Sequence, residues 1–219
     1  MENSPPRESQ RQCNTLYRLP RDTQGFSLLE VLISIVILSF GLLGMVGLQA
    51  TALQSNREAR SQSIAASLAR ELAEMMRGNK DVALRATNNP YLGDFPTSAL
   101  SVSSPSYCLN ASNTATTCTD TTDLANAEMT EWLSRVGSQL PGARVAVCID
   151  AVPFETSTGL PQWACTAATG ANAVIKIGWT RGSTNRSLTG SAALERTSDT
   201  NNPNNRPAIV LPITAGNAK

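Results

Sequence analysis

The stretch from Gly25 to Leu48, GFSLLEVLISIVILSFGLLGMVGL, decides how the rest of the chain is read. From Val31 to Leu48 no residue is charged, which meets the roughly 18 apolar residues expected of a membrane-spanning helix. One acid, Glu30, stands at the edge of the run. The polar segment ahead of it carries Arg7, Arg11, Arg18 and Arg21, and positive charge before a first apolar helix holds that end in the cytoplasm. The bulk of the chain is therefore expected on the far side of the membrane.

An ordinary secretory signal has an apolar core of about 7–15 residues followed by a small-residue cleavage site. Ala50-Thr51-Ala52 imitates such a site, but the apolar run is longer than such a core and the sequence beyond it continues as a helix. The remaining place for a cut is between Gly25 and Phe26. At these residues, G-F-S-L-L-E behind a basic leader, the chain resembles the type IV pilins and the pseudopilins of type II secretion, with their class III signal peptides. The resemblance implies that a membrane-embedded prepilin peptidase cuts after Gly25 and methylates the new amino terminus at Phe26. It also implies that Glu30 registers an incoming subunit during assembly.

Glu30 has a physical reading of its own. An acid at the centre of a spanning helix costs about 2.5–3.5 kcal/mol, and such residues usually have a partner. The amine of a neighbouring Phe26 would supply the opposite charge where the dielectric is low and attraction strong. The plainer alternative places Glu30 in the first turn near lipid headgroups, favoured by the helix dipole. Gly41, Gly44 and Gly47 likewise have two readings. Small residues let helices approach closely, but glycine also weakens a helix by about 0.8–1 kcal/mol relative to alanine. Pilins often carry a proline where Gly47 stands, so the sequence leaves open a kinked, melted or continuous helix.

Lys and Arg total 18 against 17 Asp and Glu, and removing the leader leaves the mature charges balanced, so no general polyanion partner is implied. There is no histidine, which removes the commonest general base and metal ligand. No G-x-S-x-G elbow, S-x-x-K pair or glycine-rich phosphate loop occurs, and the chain reads as a non-enzyme without cofactor. Of five cysteines, Cys13 belongs to the leader. Cys108, Cys118, Cys148 and Cys165 in an exported segment read as two disulfides with three possible connectivities, and sequence neighbours, Cys108 with Cys118 and Cys148 with Cys165, are the preferred pairs. Their spacing is wrong for paired zinc knuckles, and Asp120, Asp123 and Asp199 lack the register of a calcium loop.

Beyond the anchor no proline occurs until Pro90, and Leu53, Ile64, Leu68, Leu72, Met75 and Met76 mark a helical apolar stripe that Gly78 ends. Residues 79–122, rich in Asn, Pro, Ser and Thr, are expected to form a surface connection. A second helix is expected from about Asp123 to Leu140, stopped by Pro141-Gly142. R-V-A-V-C-I-D at 144–150 and V-I-K-I-G-W-T at 174–180 alternate as strands, the latter turning Lys176 outward. Residues 181–206 read as a polar loop, and P-A-I-V-L-P-I-T at 207–214 as an edge strand, since proline cannot donate to a ladder.

The expected fold is α+β and pilin-like: a long N-terminal helix, its first half transmembrane, packed on a small antiparallel sheet. The division is a cleaved leader at 1–25, a transmembrane helix at 26–48, the periplasmic half of the helix at 49–78 and a disulfide-braced head at 79–219. E-W-L near Trp132, L-P-G at 140–142, I-G-W at 177–179 and L-A-R-E-L-A-E-M-M-R-G-N at 68–79 resemble the type IV pilus modification protein (PilV) family of minor pilins. That resemblance implies a structural subunit in pilus assembly initiation and at the tip, serving adhesion and twitching motility. Its implied partners are prepilin peptidase, the major and other minor pilins through the N-terminal helix, and a tip adhesin. The molecule would wait in the inner membrane, N-terminus cytoplasmic and head periplasmic, before joining the fibre. A type II secretion pseudopilin is the nearest alternative. An adhesive or DNA-capturing head is another, resting on Arg181, Arg186, Arg196 and Arg206, although these lack the interleaved aromatics that stack on bases.

Overall fold

The computed structural model describes residues 25–110, 117–183, 187–190, 194–195 and 205–214. The leader arginines and Cys13 lie outside them. By internal contacts the chain divides into two units, Met1–Ala50 and Thr51–Lys219.

In the first unit, helix α1 (Leu28–Gly78) begins just after Ser27, whose carbonyl accepts the Glu30 and Val31 N–H groups at 3.0 and 3.3 Å. The helix is unbroken through Gly41, Gly44 and Gly47. Every described residue up to Ala50 is exposed, and the most apolar window has a mean hydropathy of 2.6. The hydroxyls of Ser34 and Ser39 each donate 2.7 Å bonds to the carbonyls of Glu30 and Ile35 one turn back. Both polar side chains are thereby satisfied within their own helix, as a lipid environment requires.

In the second unit, α1 buries Ala65, Leu68, Ala69, Leu72, Ala73 and Met76, the three-and-four spacing of one helical face. The stripe starts later than the sequence suggests. Leu53 is 60% exposed, and a described contact of the head near it is a polar one, Trp179 Nε1 donating to Glu58 at 3.5 Å. After α1 comes a single helical turn, α2 (Lys80–Ala83), and then a three-residue strand, β1 (Gly93–Phe95).

Helix α3 (Thr121–Gln139) is capped by Asp120, whose carboxylate accepts the N–H groups of Thr122 and Asp123 at 2.7 and 2.8 Å. It buries Ala125, Met129, Trp132, Leu133 and Val136 in the common core. Two side chains fasten it to α1 through three hydrogen bonds. The Trp132 indole donates to the Leu68 carbonyl at 3.0 Å, and Arg135 grips the Glu71 carboxylate with both terminal nitrogens.

Strands β2 (Arg144–Ile149), β3 (Ala173–Gly178) and β6 (Ile209–Ile213) join β1 in an antiparallel sheet of order β1-β2-β3-β6. A two-residue pair, β4 (Arg181–Gly182) with β5 (Leu194–Glu195), stands apart. Val145 opposes Ile177 and Val147 opposes Ile175, all four buried in the core with α1 and α3. β6, with Pro212, is an edge strand, and β3 is buried along its whole length.

Two expectations need correcting. Residues 79–122 do not merely cross the surface: Val82, Tyr91, Phe95 and Val102 enter the core, and β1 pairs with β2. Asn89 folds the segment inward by donating from Nδ2 to the carbonyls of Ala83 and Arg85 and accepting the Tyr91 N–H. The Tyr91 hydroxyl donates to Glu128, and burial followed by that carboxylate raises its pKa well above the ordinary tyrosine value. Second, Lys176 is not outward; it is fully buried.

The turn from α3 into the sheet depends on Gly142 at φ +60°, where an added Cβ would stand 2.4 Å from Thr180 Oγ1 while the Thr180 N–H donates to the Pro141 carbonyl. Gly142→Ala should therefore cost about 1–3 kcal/mol, seen as a lowered thermal midpoint. An unchanged midpoint would show that the turn relaxes freely.

Candidate functional site

The candidate residues fall in two separate places. The first is the start of α1. Phe26 is 81% exposed, and with Glu30, Val31, Ser34, Ile35 and Leu38 it lines one open groove on the helix. Glu30 sits in the first helical turn, and among the described residues its carboxylate has no side-chain partner. Large apolar side chains surround it in an exposed band, including Leu29, Ile33, Ile37 and Phe40. Such a surface is stable only in lipid or against other apolar helices. Gly25 precedes the helix in extended chain and has open space around its Cα, so the backbone joining it to Phe26 lies free of tertiary packing.

The second place is the face of the sheet turned away from the helices. Cys148 is bonded to Cys165 and Cys108 to Cys118, with Cα separations of 6.3 and 5.0 Å. The Cys148–Cys165 bridge draws the loop over residues 150–172 across the sheet, and that loop covers Lys176. The Lys176 ammonium lies 2.6 Å from Asp150 Oδ2, 2.6 Å from the Ala164 carbonyl and 3.4 Å from the Trp163 carbonyl, which accounts for its three donors. Asp150 Oδ1 accepts the N–H groups of Val152 and Thr166 at 2.9 and 3.0 Å. Burial works against the Asp150 charge, but the Lys176 bond and those two backbone donors outweigh it and hold the carboxyl below its usual range.

The rim of this loop is tied down as well. Arg144 stacks on the Trp163 ring at 4.5 Å and pairs with Asp94 at 2.9 Å. Trp163 Nε1 donates to Asn205 at 3.1 Å, and Arg206 reaches Glu155 at 3.2 Å. Hence two members of the basic series considered for phosphate binding are occupied: Arg206 on Glu155, and Arg181 on Glu195 at 2.8 Å. Arg186 and Arg196 lie outside the described residues.

Strand alternation alone turns Lys176 outward and puts Cys148, with Asp150, on a face where a loop bearing Cys165 can fold back, without showing that the two strands share that face. The β2–β3 register sets Ala146 opposite Lys176 and Cys148 opposite Val174, so the loop that covers Cys148 covers Lys176 as well. Two places where three metal-binding residue types meet, Cys108, Cys118 with Asp123 and Cys148, Cys165 with Asp150, each consist of a disulfide and one acid. Bonded sulfurs have no thiolate to offer a metal.

Because the folded pKa of Asp150 is depressed, its contribution to stability is complete above the unfolded carboxyl value of about 3.9 and is lost as pH falls through the folded value. Asp150→Asn keeps a side-chain oxygen to accept both backbone N–H groups but leaves Lys176 buried without a counter-charge. It should destabilise the head by about 3–5 kcal/mol at neutral pH and flatten the acid limb of a denaturation series. An unaltered acid limb would assign that sensitivity to other carboxylates.

Comparison with protein-family models gives two matches. Residues 20–46 match the prokaryotic N-terminal methylation motif, and residues 47–130 match a Tt1218-like model described as type IV pilin Tt1218. No curated protein and no solved structure matches the chain. The first match contains Gly25, Phe26 and Glu30; the second ends inside α3 and includes the Cys108–Cys118 bridge.

Proposed function

We propose that the chain is a type IV pilin, a non-enzymatic structural subunit, as its matches to the methylation motif and to the Tt1218-like pilin model support, and that it serves as a minor pilin in the initiating complex of a type IV pilus and stays near the tip. Prepilin peptidase removes residues 1–25 by cutting between Gly25 and Phe26 and methylates Phe26. Residues 26–48 then anchor the subunit in the inner membrane with the head, residues 79–219, in the periplasm. During assembly the subunit leaves lipid and joins other pilins through the same helix.

The observation that carries this reading is the Glu30 carboxylate, unpartnered among the described residues and set in an exposed apolar band one turn from Phe26. In a packed bundle of such helices it needs a counter-charge, and the Phe26 amine of a neighbour has the right sign at the right depth. The minor-pilin assignment draws further support from the positions of the residues that resemble the PilV family. Trp132 and Trp179 bond to α1 at Leu68 and Glu58 and so fasten the head to the helix, while Pro141 accepts the Thr180 N–H and ties the turn after α3 to the end of the sheet.

Mass spectrometry of purified pili should find this chain beginning at N-methylated Phe26. Bulky substitution of Gly25 should leave the leader attached. Glu30→Gln should reach the membrane at normal levels yet restore few or no surface pili to a strain lacking the chain. Normal piliation by that variant would remove the pairing role, and loss of protein secretion with fibres intact would redirect the assignment to a pseudopilin.

A further inference from the structure

The Cys148–Cys165 bridge lies against the buried cation of the head. Lys176 Nζ stands 3.9 Å from Cys165 Sγ, held in place by the Ala164 carbonyl and Asp150. The two ends of the bridge differ in access: Cys165 is exposed, while Cys148, in β2, is half-buried. Among the described residues the other bridge has no such neighbour, and the charged group beside Cys108 and Cys118 is the carboxylate of Asp123.

Thiol–disulfide exchange runs through the thiolate, which a nearby cation favours and a nearby anion disfavours. The charged groups facing Cys165 are Lys176 and Asp150, whose carboxylate lies within 4.8 Å of both sulfurs. The Asp150 charge is shared among the Lys176 ammonium and the Val152 and Thr166 N–H groups. Lys176 Nζ lies 3.9 Å from Cys165 Sγ, and its grip on the Ala164 carbonyl fixes the backbone immediately before that sulfur.

We propose that Cys165 is the sulfur through which this bridge is made and opened, with a disulfide-bearing oxidant as co-reactant and Lys176 as the residue that positions and activates it. In the folded, unbridged head the Cys165 thiolate attacks one sulfur of the co-reactant. The co-reactant's S–S bond breaks, and its first thiolate leaves and takes a proton from solvent. Cys148, deprotonated in turn, attacks Sγ of Cys165 in the mixed disulfide and expels the second thiolate. Two protein thiols thereby lose two electrons and two protons, and the co-reactant gains both to become two thiols. Reduction retraces the path, with the incoming thiolate attacking the exposed Cys165 sulfur and releasing Cys148.

The test uses the full chain in detergent micelles, carrying either Cys148→Ser or Cys165→Ser with the Cys108–Cys118 bridge intact. Oxidised glutathione is the probe, and adducts are located by peptide mass so that Cys13 is counted separately. At pH 7 Cys165 should form its mixed disulfide about tenfold faster than Cys148, and its rate should titrate at lower pH. In urea the two rates should converge, because the effect depends on the folded lysine rather than on local sequence. Lys176→Met added to the Cys148→Ser chain should slow Cys165 to its urea rate. The proposal is overturned if Cys148 reacts as fast, if the difference survives urea, or if a folded Lys176→Met chain keeps the fast rate. Should that variant fail to fold, the comparison of the two serine variants with and without urea decides the matter.

Discussion

One helix has to satisfy two solvents. Over its first half α1 is apolar on every side, and no described residue of its own unit covers it; over its second half only the stripe from Ala65 to Met76 is buried. The other elements of the head follow from that stripe. Its small residues, Ala65, Ala69 and Ala73, allow close packing, while Leu68, Leu72 and Met76 supply apolar area worth about 1.5–3 kcal/mol each when fully buried. Trp132 closes the contact by bonding to the carbonyl of Leu68 within the buried stripe, where an unpaired indole N–H would be costly. The sheet completes the core through Val145, Val147, Ile175 and Ile177, and its strand alternation is fixed by which face meets the helices.

The chain holds charge in apolar surroundings in two opposite ways. Lys176 and Asp150 are fully enclosed, and five contacts account for them: the ion pair, two carbonyls on the lysine and two backbone N–H groups on the aspartate. A buried pair of this kind adds little net stability over apolar residues of the same size, but it is intolerant of losing one partner. Its effect is specificity, since only one placement of the 150–172 loop satisfies all the donors. Glu30 is the reverse case, a single carboxylate among exposed apolar side chains with no described partner on its own chain. A charge left open in this way is costly at the centre of an apolar layer and far less so in the first helical turn, where the helix dipole favours an acid.

Much of this was legible in the sequence, and the parts that were not share a cause. Long periodic segments announce themselves. The helix ending at Gly78, the second helix, the two central strands and the proline-bearing edge strand all lie close to where spacing and breakers put them. β1 did not, because three residues are too few for a period, and Tyr91 and Phe95 stand in a stretch whose composition reads as loop. Lys176 was misplaced for a different reason. Alternation tells which side of a strand a residue takes, but not what lies on that side, and here the covering layer comes from a loop without regular structure. The start of α1 is the converse: Gly25, Phe26 and Glu30 belong to a motif that lies in order along the chain rather than in tertiary contact, and residues 20–46 match the N-terminal methylation motif.

The covering loop explains why a sheet this small can carry a fully buried central strand. A sheet with helices on one face would leave Ala146, Cys148, Val174 and Lys176 to water, and β3 would be half exposed. Instead the Cys148–Cys165 bridge limits how far the loop can stray, the ion pair fixes its height above the sheet, and Trp163 is held flat under Arg144 and bonded to Asn205 just before β6. Each tether alone is modest in net terms, since a loop of this size gains about 3 kcal/mol from cross-linking in the chain-entropy model and the attraction within a buried ion pair is largely offset by desolvation. Joined on one loop they are cooperative, because the entropy of ordering it is lost once while every contact benefits. The outer layer of the head, as far as the described residues show it, is therefore built from side-chain chemistry rather than from another helix or sheet.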